Sequence, residues 1–426
     1  MFLIFSYKRL ALLQYVVKLR VCFLLTLFVN MSMAYVQAQV QAGFIYGEIT
    51  MTDNTKYEGV IQWSSNELGW DDIFTATKQE NKVLQYLSSD EIKRLSEEEK
   101  AEKIDWGFMR LWENRYPAKQ HVFECQFGYI RAIAVTGEKS ARVTLKNGNT
   151  VEVSGHEDTG RKIYILDKQG RRSKMEWTKI QTVVFKNTPL AILSPTISPL
   201  YGTVTTDSGE LTGFIQWDMD ESLNMHYLDG KHGDEKKAFQ FSELTQIEKI
   251  SENTCRITLV SGEKIDLSDT DDVGKSNHGI MVKNNQLGNI KVNWNSFGKV
   301  VFTKKVPGPA AYTDYKSPKS LSGKVTLTNG TFYQGTLIFD LDESMNIELL
   351  KGKSRDLLYH ICFSDIRSVQ RKSHTYATLT LTNGKTLELT GTNDVTDKNW
   401  GILIVNGTKK PTYIPWNKVD YVNFTH

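Results

Sequence analysis

The sequence predicts an all-β protein of three tandem repeats, each made of two small half-units, with a helical insert in the first repeat. Three related hairpin segments support this prediction, and they cover residues 46–63, 201–221 and 322–343. Each contains a glycine, alternating apolar residues, a polar turn and then the pattern Gly-x-[Ile/Leu]-x-[Trp/Phe]. Self-similarity of this kind is typical of repeat architectures. The sequence therefore describes one short β-fold that occurs three times.

A second pattern, [Phe/Trp]-x-x-apolar-x-x-[Val/Ile], occurs twice in every repeat. Apolar residues three apart suit a short 3₁₀ turn, in which side chains at that spacing are aligned. In all three repeats, a turn glycine follows the first copy of the pattern after 21 residues. We therefore predict that each half-unit closes with one tight helical turn before its last strand. The six copies begin at Phe127, Trp177, Phe241, Trp294, Phe363 and Trp416.

The order of strands and turns in a half-unit resembles that of SH3-like small barrels. The resemblance implies a five-stranded barrel, in which closure removes the exposed sheet edges. The alternative is that the paired half-units of a repeat form one larger barrel or sandwich. Both interpretations predict that the repeated Trp, Phe, Ile and Val side chains lie in the core.

Two proline-rich segments divide the chain. The first contains Pro189, Pro195 and Pro199, and the second covers residues 307–318. Prolines at this density favour extended, semi-rigid spacers. The predicted repeats are residues 43–188, 199–304 and 320–426.

The N-terminal segment, residues 1–42, has the features of a signal peptide or signal anchor. Lys18 and Arg20 precede an apolar run at residues 21–29, and small residues follow the run. The run is too short for a stable membrane span, so we expect cleavage. Export predicts a periplasmic or secreted protein, or a membrane-anchored one if the segment is retained.

Repeat 1 carries an insert of about 40 residues. Gly59 lies 68 residues before Phe127, whereas the equivalent spacing in repeats 2 and 3 is 28. Ser88 and Glu91 match a helix capping box, and residues that favour helices follow them. We predict one or two amphipathic helices at about residues 88–117, lying on or projecting from the first barrel.

The residues before the insert form the first candidate site. The stretch from Trp70 to Lys78 resembles one in uncharacterised exported bacterial β-repeat proteins, and this resemblance implies no particular activity. Asp71, Asp72 and Lys78 could line a ligand groove beside Trp63 and Trp70, because aromatic faces with carboxylates suit sugars or peptides. The alternative, which the sequence favours, is that the tryptophans pack against the helix and the charges are solvated.

A second candidate is a calcium site. Asp218 and Asp220 in repeat 2 match Asp340 and Asp342 in repeat 3. Carboxylates two residues apart on a strand point to one side of it and could bind a hard cation. Repeat 1 lacks the pattern, and the sequence contains no EF-hand loop. The favoured alternative is therefore a polar strand end and turn.

Composition limits the possible classes of function. Outside residues 1–47, 48 basic groups face 49 acidic ones, a balance that does not suit a nucleic-acid-binding protein. Cys125, Cys255 and Cys362 show no C-x-x-C spacing, so a zinc site is unsupported and no other cofactor is expected. The sequence contains neither a G-x-S-x-G elbow nor a phosphate-binding loop.

The sequence favours an exported, non-enzymatic binding or scaffold protein whose partner is a protein or a glycan of the cell envelope. Tandem copies raise the effective concentration of weak binding sites. Two alternatives stay open: a hydrolase of envelope polymers with a site near the insert, and a calcium-dependent adhesion module. Whether the protein is an enzyme is not decided by the sequence.

Overall fold

The computed structural model describes residues 42–64, 67–79, 82–95, 122–155, 157–190, 192–194, 196–303, 306–407 and 410–425. Most of the predicted signal segment and of the predicted helical insert lies outside the described residues. The described chain is mostly β, and its strands form two large antiparallel sheets. The prediction of an all-β fold is confirmed at this level.

The described residues of each repeat form ten strands. Those of repeat 1 are β1 (Tyr46–Met51), β2 (Lys56–Trp63), β3 (Ile73–Lys78), β4 (Val122–Gln126), β5 (Ile130–Gly137), β6 (Ser140–Leu145), β7 (Thr150–Ser154), β8 (Ile163–Leu166), β9 (Arg172–Met175) and β10 (Ile180–Phe185). Those of repeat 2 are β11 (Tyr201–Thr206), β12 (Gly209–Gln216), β13 (Tyr227–His232), β14 (Glu235–Gln240), β15 (Leu244–Ser251), β16 (Thr254–Leu259), β17 (Lys264–Ser268), β18 (Ile280–Asn284), β19 (Gly288–Val292) and β20 (Phe297–Phe302). Those of repeat 3 are β21 (Ser322–Leu327), β22 (Phe332–Phe339), β23 (Leu349–Ser354), β24 (Leu357–Cys362), β25 (Ile366–Arg371), β26 (Tyr376–Leu381), β27 (Thr386–Thr390), β28 (Ile402–Val405), β29 (Thr412–Ile414) and β30 (Val419–Phe424).

The ten strands pair in the same order in every repeat. Hydrogen-bonded neighbours in repeat 1 follow the order β4-β3-β7-β6-β5-β10-β1-β2-β8-β9. The pairings in repeat 2 give β14-β13-β17-β16-β15-β20-β11-β12-β18-β19. Those in repeat 3 give the corresponding order. The three repeats therefore share one topology.

Strands β1 to β5 of the first half-unit correspond in turn to β6 to β10 of the second. When corresponding strands are treated as equal, the order is palindromic about its central pair, β5 with β10 in repeat 1. Each side of the sheet combines strands from both half-units, because β2 pairs with β8 and β3 pairs with β7. The ten strands form one continuous series. The pairing favours the alternative in which the two half-units of a repeat make one larger unit.

Repeats 2 and 3 join edge to edge. Strand β19 pairs with β24, so that Asn289 lies opposite His360 and Val292 lies opposite Leu357. Strands β11 to β30 consequently belong to one twenty-stranded sheet, while repeat 1 keeps a ten-stranded sheet of its own. A backbone bridge between Cys125 and Glu348 connects repeat 1 to repeat 3.

The repeated aromatic residues form the core. Trp63 and Phe339 end the second strand of repeats 1 and 3, Trp217 directly follows that of repeat 2, and all three are fully buried. Trp63 lies 5.5 Å from Phe127, and Phe339 lies 5.3 Å from Phe363, between ring centroids. One cluster contains the apolar core of repeat 1 together with Leu223 of repeat 2 and Ile347 of repeat 3, and the core residues of repeats 2 and 3 share another.

The predicted tight turns are present. Five of the six pattern copies begin a 3₁₀ helix, at Phe127–Tyr129, Trp177–Lys179, Phe241–Glu243, Phe363–Asp365 and Trp416–Lys418. The sixth copy, at Trp294, begins a hydrogen-bonded turn.

The insert begins with helical structure. A 3₁₀ helix covers Lys82–Tyr86, and a short α-helix covers residues 89–95. The amide N–H of Ser88 donates to Glu91 Oε2 at 2.7 Å, and the amide of Glu91 donates to Ser88 Oγ at 3.3 Å. The predicted capping box is therefore formed.

The described start of the insert packs on repeat 3. Arg94 Nη2 donates to the hydroxyl of Tyr413 at 3.0 Å. Of the two expected placements, lying on the first barrel or projecting from it, this part takes the second and reaches repeat 3. The physical reason is apolar burial, since the helix covers Leu341 in the turn after β22 of repeat 3. The cluster consists of Leu87, Leu95, Leu341 and Leu403.

Candidate functional site

A buried lysine of repeat 2 joins repeats 1 and 2. Lys283 Nζ lies 2.9 Å from Asp71 Oδ1 and 2.6 Å from Asp72 Oδ1. Asp72 Oδ2 also accepts the amide N–H groups of Leu68 and Gly69, at 2.8 and 2.6 Å. Burial lowers the pKa of Lys283, but the two carboxylates raise it more, so the net pKa is above its ordinary value. The ammonium is therefore charged, and both aspartates bind repeat 2 rather than solvent.

A second buried lysine joins repeats 1 and 3. Lys78 Nζ donates to Asp342 Oδ1 at 2.8 Å, to the Asp342 carbonyl at 2.8 Å and to Glu348 Oε1 at 2.6 Å. Lys351 reinforces this contact, with its Nζ 2.9 Å from Glu124 Oε2. The Lys78 side chain is only 14% exposed. Lys78 therefore makes an internal contact between repeats. Its charge is paired with carboxylates and is not solvated, as the alternative had expected.

The two predicted tryptophans are packed in the core of repeat 1. Trp63 Nε1 donates to the carbonyl of Asp158 at 2.9 Å. Trp70 Nε1 donates to Thr188 Oγ1 at 3.2 Å. Its ring lies 4.5 Å from that of Tyr312 in the second proline-rich segment, residues 307–318, which is the second linker. Trp70 therefore holds the linker, whereas the sequence suggested that it packs against the helix. The five predicted ligand residues do not converge on one groove.

The predicted calcium residues lie in tight turns. Asp218 has φ 48° and Asp340 has φ 49°, and the residue after each is also in the left-handed region. They do not alternate along a strand, because the chain reverses direction there. Asp218 Oδ1 accepts the amide N–H of His278, and Asp340 Oδ1 accepts that of Trp400.

Asp220 and Asp342 complete these turns. The amide N–H of Asp220 donates to the carbonyl of Trp217 at 2.9 Å, while the Asp342 carboxylate pairs with Lys78. Within the described ranges, no group of three or more His, Cys, Asp or Glu side chains is placed to hold a metal ion. The calcium site stays a prediction.

Each repeat also buries a carboxyl pair that the sequence analysis did not single out. One member follows the buried aromatic residue by four positions, and its Oε2 is buried without a hydrogen-bond partner; these residues are Glu67, Glu221 and Glu343. The other member accepts a strand amide N–H at 2.6, 2.5 and 2.5 Å; these residues are Asp158, Asp272 and Asp394. The matched spacing from the aromatic residue to the glutamate was the signal available in the sequence.

Burial shifts the pKa values of these carboxyls upward. Burial and the neighbouring carboxylate of Asp272 raise the pKa of Glu221 to about 9. Burial raises the pKa of Asp158 and Asp272 to about 7, and that of Asp394 to about 6. Burial also raises the pKa of Glu67 and Glu343 well above the ordinary value. In the repeat 2 pair, Glu221 holds its proton more tightly than Asp272 does.

A cavity of about 340 Å³ lies where the three repeats meet. The second linker closes one side of it, and Lys146 Nζ holds this linker by donating to the carbonyl of Tyr315 at 2.9 Å. Residues of all three repeats and of the second linker line the cavity, among them Tyr129, Lys283, Tyr315 and Asn383. The site is composite, because no repeat supplies more than part of its wall.

No known protein family, curated protein or solved structure matches this chain. Within the described residues, no helix combines the length and apolar character that crossing a bilayer requires.

Proposed function

We propose that the protein is an exported, non-enzymatic binding or scaffold protein of the cell envelope or exterior, with a protein or a glycan as its ligand. The observation that carries this proposal is the composite cavity between the repeats. Buried lysines fix its walls: Lys283 holds repeat 1 to repeat 2, and Lys78 holds repeat 1 to repeat 3. Small-molecule sites occur preferentially at such domain interfaces.

Export rests on the N-terminal segment, with its basic residues, apolar run and small residues at 1–42. The near-balanced charge of the remaining chain supports a partner other than nucleic acid. We place the protein in the periplasm or outside the cell, or at the membrane if the segment is retained.

We also propose that each five-stranded half of a repeat derives from an SH3-like unit that exchanged a hairpin with its neighbour. The palindromic strand order supports this origin, because each strand on one side of the central pair has a counterpart on the other side. The 3₁₀ turn before the last strand of each half also supports it.

Incubation of the purified chain with envelope fractions tests the proposed function. We expect the chain to sediment with a glycan or protein fraction without releasing soluble fragments, and to do so equally in EDTA. Release of fragments would favour the hydrolase alternative, and loss of binding in EDTA would favour calcium-dependent adhesion. Absence of binding to every fraction would contradict the proposal.

A further inference from the structure

The cavity between the repeats is built from groups that both donate and accept hydrogen bonds. Gln126, Asn285 and Asn383 contribute side-chain amides from all three repeats, and Thr382 contributes a hydroxyl. Gln126 and Asn383 already use one amide N–H and the amide oxygen within the protein, so each keeps one N–H donor and one oxygen lone pair for a ligand. A ligand that matches such a wall must itself carry several groups that act in both ways, as hydroxyls do.

The charges of the wall disfavour an anion. Asp71, Asp314 and Asp365 line the cavity together with Lys283. Lys283 is already paired with two aspartates, at 2.9 and 2.6 Å, so its charge is compensated. A phosphate or carboxylate ligand would therefore meet a net negative wall.

Apolar side chains form the smaller part of the wall. Tyr129 and Tyr315 meet edge to face, with ring centroids 5.0 Å apart at 90°, and Phe214 lies in the wall from repeat 2. A pyranose ring has an apolar C–H face and a rim of hydroxyls. A polar wall with some apolar surface matches both parts of such a ring.

We propose that this cavity binds a neutral saccharide of one or two rings, an inference that rests on the proposed binding function and specifies its ligand. The volume of about 340 Å³ lies near the lower end of the range of roughly 300–1,000 Å³ for small-ligand sites. The size therefore suits the end of a glycan or a short oligosaccharide.

Calorimetric titration of the full chain tests the proposal with glucose, N-acetylglucosamine, maltose and chitobiose as probes. Ala310 is exposed and lines the cavity, so Ala310→Trp fills it without removing a hydrogen-bonding group. We expect the wild-type chain to bind at least one probe, and Ala310→Trp to weaken that binding at least tenfold. Ala238→Trp is the matched control, since Ala238 is exposed on β14 outside the cavity; it should bind as the wild type does.

Other outcomes overturn the saccharide proposal. The proposal is contradicted if no probe binds or if both variants bind as the wild type does. It is also contradicted if a lysine-rich peptide binds the chain and none of the sugars does. The proposed function is judged separately by the envelope fractions. Binding to a fraction that Ala310→Trp leaves unchanged would keep that function and remove the cavity as its site.

Discussion

Each repeat buries a glutamate in the turn after its second strand, four residues after the buried aromatic residue. In repeat 2 this residue is Glu221, whose pKa is about 9 because it is buried next to other carboxylates. The ordinary value is 4.5, so the folded state binds the proton more tightly than the unfolded state does. Its stabilising contribution is complete below about pH 4.5 and is lost as the pH rises through about 9.

The substitution Glu221→Gln should stabilise the protein at alkaline pH. The amide has nearly the shape of the protonated carboxyl but cannot ionise, so the cost of keeping the proton disappears. We expect a gain of roughly 1–3 kcal/mol in the free energy of unfolding at pH 8 and little change at pH 4.5. Urea unfolding of both chains at the two pH values measures this.

The control for that experiment is Glu263→Gln, at an exposed turn of the same repeat. It should follow the wild type at both pH values. An equal change in the free energy of unfolding at pH 8 and pH 4.5 would show that the proton on Glu221 is not the cause of the stabilisation.

At the scale of single elements, the junction of β19 with β24 determines how repeats 2 and 3 form one sheet. Gly288 begins β19 with φ +83°, and a Cβ at this position would lie 2.5 Å from the carbonyl oxygen of His360. Gly262 has φ +90° but faces open space. The two glycines therefore have similar backbone conformations, but only Gly288 is closely approached by the backbone of a neighbouring strand.

We predict that Gly288→Ala destabilises the protein clearly more than Gly262→Ala does. Both substitutions incur left-handed strain of about 1–2 kcal/mol, but only the first also pushes β24 away from β19. Equilibrium unfolding gives the difference, and hydrogen exchange should show loss of protection along β24 in Gly288→Ala. Equal destabilisation by the two variants would argue against a tight junction between these strands.

Local sequence patterns predicted the individual structural elements. They could not predict which strands that are distant in sequence pair with each other. The hairpins, the 3₁₀ turns and the capping box of Ser88 depend on neighbours in the chain, so the sequence contains them. The sheet places β2 beside β8 and β3 beside β7, and no local pattern specifies that choice. Lys78 stood out as a charged residue near the insert, but its partner Asp342 lies 264 residues away.

At the scale of the whole molecule, buried charges hold repeat 1 against the other two repeats. A buried ion pair adds little compared with an apolar contact, but removal of one partner is costly because the other charge stays buried. Lys78 has two carboxylate partners, Asp342 and Glu348, and the latter is 2% exposed. The arrangement therefore makes the contact between repeats 1 and 3 specific and makes the cavity depend on it.

The native thiols report directly on this contact. Cys362 lies at the boundary of repeats 1 and 3, with its Sγ 3.7 Å from Gln126 Oε1, whereas Cys255 lies in the core of repeat 2. Both are free and buried. Cys22 lies outside the described residues, so the experiment uses the Cys22→Ser chain.

The most direct test of the account is the rate at which a thiol reagent labels Cys362 under native conditions. The account predicts slow labelling of Cys362 and Cys255 in the Cys22→Ser chain. Adding Lys78→Met should cost about 3–5 kcal/mol at the repeat contact and accelerate labelling of Cys362 but not of Cys255. Lys56→Met is the control, since Lys56 forms an exposed pair with Glu48. Rapid labelling of Cys362 in the chain that retains Lys78, or equal acceleration of both thiols by Lys78→Met, would contradict the packing of the three repeats into one body around the cavity.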